Sequence, residues 1–349
     1  MAASSEASRS SVGAHRKRRW RPPWWVQVSL ALLVVSLSTW LVVVPQLPDS
    51  QRSMNALRGV SIPLVVLALF LEALAVLSYS LMTALMFRRG TIRFFTLLRI
   101  DLTSLGASRV LPAGGATSTA LRVRLLHLAG AGRQEALTGA AVQATGSYLV
   151  LGCLLILGVV LSISSGGGLA IVGLGVISAV LLVAGMVLGV VELGRRPERP
   201  VRWARAAARR IRVREEAAES VVRGLSGRVH DLLHHPRRMS RVLLFAALHW
   251  LLDAAVLWVM LAAFGQLVSV GPLLLIYGLG GMVAILPLTP GGLGIVEGAM
   301  LPALVAFGVP PPTALFAVLA WRLLQYWLPI PVAGLTYAWL RLGPLRGRH

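Results

Sequence analysis

The chain has 349 residues, of which 56% are hydrophobic and only 13% charged, and its mean hydropathy is +0.75. A soluble domain carries about a quarter charged residues, so a soluble enzyme, a disordered tail and a coiled coil are excluded and a polytopic membrane protein is implied. The net charge of +21 comes from 34 basic residues, all arginine except Lys17, and these cluster beside apolar stretches, the pattern of loops facing anionic lipid rather than of a nucleic-acid surface.

The basic N-tail, residues 1–23, is rich in Ser and Arg and reads as disordered. It leads into an apolar stretch, Trp24–Pro45, that is too long for a signal peptide and lacks a small-residue cleavage site. We read it as an uncleaved anchor. Further stretches of membrane-spanning length are Val60–Met86, Ala136–Ile163, Leu169–Val191, Val242–Phe264 and Thr313–Leu340. Two more apolar regions, Phe94–Gly130 and Gly271–Gly308, are interrupted by Pro112-Ala-Gly-Gly115 and by Pro287-Leu-Thr-Pro-Gly-Gly292. Their halves are too short to cross comfortably, so each is expected to enter the membrane and turn back. Such backbone is tolerated at membrane depth only where protein or a water-filled cavity satisfies it. The basic segment 194–241 reads as amphipathic helices lying on anionic inner-leaflet headgroups, and residues 341–349 form a short tail.

Threading these elements places 27 basic residues on the side of both termini and only Arg52 and Arg58 on the other, so both termini are expected in the cytoplasm. The order span, span, broken hairpin, span occurs twice, over 24–163 and 169–340. Three crossings per unit invert the second copy relative to the first. Leu111-Pro-Ala-Gly-Gly115 echoes Leu288-Thr-Pro-Gly-Gly292, and the following helices end in Leu128-Ala-Gly130 and Ala306-Phe-Gly308. The expected fold is therefore an all-α polytopic membrane protein with about six transmembrane helices and two re-entrant helical hairpins in an inverted repeat, an architecture recurrent among transporters.

Ionisable side chains inside the membrane are candidates for function because each costs about 3 kcal/mol to insert. Here they are Glu72, Asp101, Arg109, His249, Asp253, Glu297 and Arg322. Glu297 follows the turn Pro290-Gly-Gly-Leu-Gly294 at the start of a half-helix, whose free N–H groups and positive dipole end suit an anionic headgroup. A carboxylate there serves equally as a cap or as half of an internal ion pair. Arg109 precedes the first break, and Arg122 and Arg124 follow it. Guanidinium grips phosphate in bidentate fashion, while the plainer reading has Arg122 and Arg124 snorkelling to the interface. Arg322 is expected to pair across helices with Glu297 or Asp253.

His249 and Asp253 share one helix face. A hydrogen-bonded packing contact is favoured over a metal site or a proton relay, because no third ligand is spaced to join them. Gly185-x-x-x-Gly189 and Gly294-x-x-x-Gly298 are read as sites of close helix packing. With a single lysine no Walker-type phosphate loop exists, and Cys153, the one cysteine, excludes an intramolecular disulfide.

The run Leu286-Pro-Leu-Thr-Pro-Gly-Gly-Leu-Gly-Ile-Val-Glu297, with the earlier Leu111-Pro-Ala-Gly-Gly115, resembles the lysylphosphatidylglycerol synthase transmembrane family, which includes the flippase half of the bacterial multiple peptide resistance factor. The resemblance implies a bacterial inner-membrane protein that moves a phospholipid, anionic or aminoacylated, or a related lipid-linked molecule between leaflets. It implies a functional hairpin of Pro290, Gly291, Gly292, Gly294 and Glu297, with Pro112, Gly114 and Gly115 its symmetry mate. The chain stops nine residues after the last span, where fused members carry an aminoacyl-transfer domain, so no lipid-modifying activity is carried over. Ala120 stands where the first hairpin would match Glu297. The expected partners are membrane lipids, with no cofactor, metal or nucleic acid, and a homo-oligomer is compatible with the sequence. Two other readings are a membrane-embedded lipid-modifying enzyme using His249, Asp253 and Glu297, and a non-catalytic partner of an envelope glycosyltransferase.

Overall fold

The computed structural model describes residues 61–87, 90–111, 114–163, 169–195, 198–210, 235–285, 289–343 and 345–346, with scattered residues between 215 and 227. The stretch Trp24–Pro45, the basic tail before it, Pro112 and Pro287 lie outside the described residues. The helices are α1 (Ile62–Ala84), α2 (Phe94–Val110), α3 (Gly114–Leu128), α4 (Arg133–Ser162), α5 (Leu169–Arg195), α6 (Glu198–Arg210), α7 (Pro236–Ala263), α8 (Val270–Ile285), α9 (Ile295–Ala306), α10 (Pro311–Arg322) and α11 (Pro329–Leu342). A 3₁₀ turn, Pro290–Gly292, joins α8 to α9, and a π turn, Leu323–Trp327, joins α10 to α11.

Among the described residues, four helical stretches are long and apolar enough to cross a membrane: α1, α4, α7 and the continuous run Pro311–Leu342, with the apolar part of α5, Ile171–Gly185, somewhat shorter. Several of their hydroxyl side chains are satisfied locally by the helix backbone. Ser78 donates to the Leu74 carbonyl at 2.8 Å, and Thr83, Thr138 and Thr145 each donate to a carbonyl one turn back.

The two interrupted regions do break where the Gly/Pro runs lie. At about 1.5 Å per residue, α9 is about 18 Å long and α2 about 26 Å, against an apolar core of about 30 Å. The two returning helices end alike. The N–H of Ala131 bonds the Leu126 carbonyl and that of Val309 bonds the Leu304 carbonyl, closing over Gly130 and Gly308 at φ +111° and +87°. Both ends are Schellman caps, which need a left-handed residue and hence glycine.

Packing brings distant parts of the chain together in three antiparallel pairs. α1 lies on α7, with Arg238 bonded to the Leu85 carbonyl near one end and His249 bonded to the Ala75 carbonyl further along. α2 lies on α11, where Thr103 and Thr336 hydroxyls meet at 3.0 Å and the Arg99 guanidinium stacks over Trp339. α8 lies on α4. In these last two pairs the backbones touch through glycine. A Cβ at Gly106 would come within 2.6 Å of the Pro329 carbonyl oxygen, one at Gly271 within 2.7 Å of the Leu161 carbonyl carbon, and one at Gly278 within 2.9 Å of Leu155. So the first half of each broken region leans on the last long helix of the other half of the chain.

The glycine pairs singled out from spacing are not where this happens. Among the described residues, nothing lies within 4 Å of a Cβ built at Gly185, Gly189, Gly294 or Gly298. A small-xxx-small spacing permits close approach but does not select the partner; here Gly106, Gly158, Gly271 and Gly278 are the glycines that face a neighbouring backbone.

Candidate functional site

The second break builds a tight, buried polar structure. Pro290 opens the 3₁₀ turn, and Gly291, Gly292 and Gly294 all have positive φ, at +59°, +74° and +80°. A Cβ at Gly291 would collide with the ring of Tyr326, and one at Gly292 would lie 2.8 Å from Val296. This sharp turn presents the start of α9, where Glu297 reaches back to accept the Gly294 N–H on Oε2 at 2.7 Å. Its Oε1 accepts Arg322 Nε at 2.6 Å, and Arg322 also donates to the Gly292 carbonyl at 3.2 Å. Glu297 is 5% and Arg322 3% exposed. Glu297 is thus both helix cap and internal ion pair, and of the two expected partners Arg322 takes Glu297.

Asp253 is held by the residue next to Arg322. Trp321 Nε1 donates to its Oδ1 at 2.8 Å, and the Tyr277 hydroxyl donates to its Oδ2 at 2.7 Å. Adjacent residues of α10 therefore tie Asp253 of α7 and Glu297 of α9 into one network, although their sequence positions suggest opposite membrane depths. His249, one turn before Asp253, has Nδ1 3.0 Å from the Ala75 carbonyl and stacks between Tyr79 and Trp250. This is the hydrogen-bonded packing role favoured from sequence. Among the described residues no three His, Cys, Asp or Glu side chains converge to hold a metal ion.

The first broken region carries a separate knot. Arg122 is 6% exposed and donates from Nε to Asp101 at 2.9 Å, and from its terminal amino group to Thr83 and Gln143 at 2.7 Å each. Gln143 in turn donates to Thr83 at 2.9 Å. Arg122 therefore neither snorkels nor stands free for a ligand; it staples α2, α3, α1 and α4 together. Only Arg124 is exposed. Gly114 and Gly115 open α3, where Ser118 and Thr119 donate to the Gly115 carbonyl at 3.1 and 2.7 Å.

Arg109 differs from Arg122 and Arg322: it is half-buried. It stands at the end of α2, two residues before the break, and its Nε is buried with no hydrogen-bond partner. Its guanidinium lies 5.4 Å from the ring of Tyr326, whose hydroxyl donates to the Arg109 carbonyl at 2.8 Å. Glu72 of α1, Asp253 of α7 and Arg322 of α10 all lie within its electrostatic reach. Sequence reasoning singled out the charged members of this site, but not the aromatic and amide groups that position them: Tyr79, Gln143, Tyr277, Trp321 and Tyr326. The available signal was hydrogen-bonding side chains in otherwise apolar helices.

The comparisons with known proteins agree with this architecture. The family model described as lysylphosphatidylglycerol synthase TM region matches residues 22–333. Two proteins named UPF0104 membrane protein, from the archaeon Methanothermobacter thermautotrophicus (strain Delta H), are 29% identical over 125 residues and 28% identical over 126. The aligned parts are 34% and 32% of this chain and 37% of each relative, so the chain aligns with well under half of the relatives' length. The match spans both broken regions and every long helix described above up to the first turn of α11: the chain belongs to the lysylphosphatidylglycerol synthase TM region family, a family of multi-pass membrane proteins.

Proposed function

We propose that this protein moves the anionic headgroup of a phospholipid, or of a related lipid-linked molecule, between membrane leaflets along a path where the two broken regions meet. Arg109 would receive the phosphate, and the Gly291–Gly294 turn, locked by Glu297 and Arg322, would form the opposing wall. The observation that carries this reading is the contrast among three arginines. Arg122 and Arg322 are paired with buried carboxylates, whereas Arg109, at the end of a half-helix, has a buried Nε without a partner. A guanidinium with a buried, unmet Nε donor favours an anionic, oxygen-rich ligand.

The pairing of α2 with α11 and of α8 with α4 supports an inverted repeat of two re-entrant hairpins, and the basic-residue asymmetry supports cytoplasmic termini. From sequence, Glu297 either binds a cationic group or gates the hairpin through an ion pair. With both of its oxygens already engaged, the gating role is favoured: opening the Arg322 pair would release the turn.

The test is translocation of acyl-labelled lipids in proteoliposomes, comparing wild type with Arg109→Gln and Arg109→Lys. The expected result is transfer of phosphatidylglycerol by wild type, a loss of about tenfold or more in R109Q for one charged hydrogen bond of about 1.5–3 kcal/mol, and partial rescue in R109K. Equal transfer by folded wild type and R109Q would contradict the assignment.

A further inference from the structure

Glu72 plays no part in the scheme above, and its surroundings are unlike those of any other buried acid described here. It lies in the middle of α1, is 7% exposed, and its Oε2 is buried without a hydrogen-bond partner. The other intramembrane acids each have donors: Asp101 has Arg122, Asp253 has Tyr277 and Trp321, and Glu297 has Arg322 and a backbone N–H.

The groups facing Glu72 come from every element around it. α7 contributes Asp253, with His249 one turn away and bonded to the Ala75 carbonyl, and α2 contributes Arg109. Tyr277 of α8 is in the field of Glu72, and Tyr148 of α4, Tyr326 of the π turn and Arg322 of α10 surround Arg109. Glu72 and Asp253 thus both lie in the field of Arg109, whose Nε bonds neither of them. Asp253 accepts hydrogen bonds from two neutral donors, Tyr277 and Trp321. Glu72 has no such donor among the described residues, and an uncompensated buried charge is expensive.

We propose that Glu72 is a proton-binding site coupled to transport, so that a proton travels with the anionic cargo. An anion docked on Arg109 takes up positive charge that favours ionised Glu72, so it competes with the carboxylate but not with the carboxylic acid. Protonation of Glu72 and anion binding at Arg109 therefore favour one another, and by linkage each raises the occupancy of the other by the same factor. The acidic side of the membrane loads cargo; deprotonation on the opposite side returns Arg109 to Glu72 and expels it. This inference rests on the translocation reading.

The experiment uses the full chain in proteoliposomes with an imposed pH difference and acyl-labelled phosphatidylglycerol as probe, comparing wild type with Glu72→Gln. Acidifying the loading side should raise the wild-type rate, by up to about tenfold per pH unit for one coupled proton, and E72Q should lose that response while still moving lipid. Lipid movement that ignores pH in wild type and E72Q alike would overturn the coupling and leave translocation standing. No lipid movement under any gradient would overturn translocation. The proton site is then decided by infrared difference spectroscopy, where a protonated-carboxyl band missing from E72Q supports it and a wild-type spectrum without that band overturns it. If E72Q does not fold, Glu72→Asp replaces it. A shifted pH response then supports the proposal, and an unmoved one overturns it.

Discussion

The arginines show how little of a side chain's role can be read from its neighbours in sequence. Arg122 and Arg109 flank the same break, yet one is a staple and the other is left with an unmet donor. The difference arises from Asp101, Thr83 and Gln143, which lie 21 to 39 residues from Arg122 along the chain. Removing one partner of a buried pair leaves the other charge stranded, at a cost of about 3–5 kcal/mol. Asp101→Ala should therefore lower thermal stability in detergent far more than Arg124→Ala, since Arg124 is exposed. A thermal-shift comparison in which the two variants melt alike would remove Arg122 from its structural role. At Gly291 the demand comes from the backbone as well as from space. A side chain at φ +59° meets strain of about 1–2 kcal/mol and also strikes the Tyr326 ring. Gly291→Ala should destabilise the protein, whereas alanine at Gly115, which opens α3 in open space, should be tolerated.

At the scale of elements, the apolar runs and their interruptions were legible because length and Gly/Pro chemistry are local properties. The long helices fall within a few residues of their expected ends, and both broken regions break at the Gly/Pro runs. The helix contacts were not legible. The Gly185 and Gly189 spacing looked like a packing face, while the glycines that meet backbone are Gly106, Gly158, Gly271 and Gly278. Which glycine is used depends on which helix arrives, and that is settled by the whole chain. Gly278→Leu should therefore disrupt the α4–α8 contact and lower the melting temperature, and Gly185→Leu should leave it nearly unchanged.

Among the described residues of the segment 194–241, four arginines pair with acids: Arg205 and Arg223 with Glu219 and Arg209 with Glu215 inside the segment, and Arg199 with Glu192 of α5. Hydrogen bonds from Arg205 and Arg223 hold the Glu219 carboxyl below the usual glutamate range. A carboxyl with a depressed folded-state value stabilises at pH above its unfolded value and loses that contribution as pH falls through the folded one. Hydrogen exchange in α6 should accordingly stay slow at neutral pH and quicken below the ordinary glutamate range. Exchange that does not change with acidification would mean that Glu219 does not hold α6.

Across the whole molecule, the repeat seen dimly in two Gly/Pro runs becomes a pattern of exchanged contacts. α2 rests on α11 and α8 rests on α4, so neither half of the chain is packed without the other. That arrangement brings the end of α2, with Arg109, close to Tyr326 and the Gly291–Gly292 turn. The consequence is a small charged site enclosed by aromatic rings in a protein whose outer helix faces carry exposed Leu, Val and Ile. The headgroup path proposed above runs through that site. The most direct measurement is photo-crosslinking with a phosphatidylglycerol analogue that carries a diazirine on its headgroup, mapped by mass spectrometry on the protein in membranes. The account predicts cross-links on the end of α2 and on residues 289–294, greatly reduced in Arg109→Gln. Cross-links confined to the basic segment 198–210, unchanged by that substitution, would contradict it.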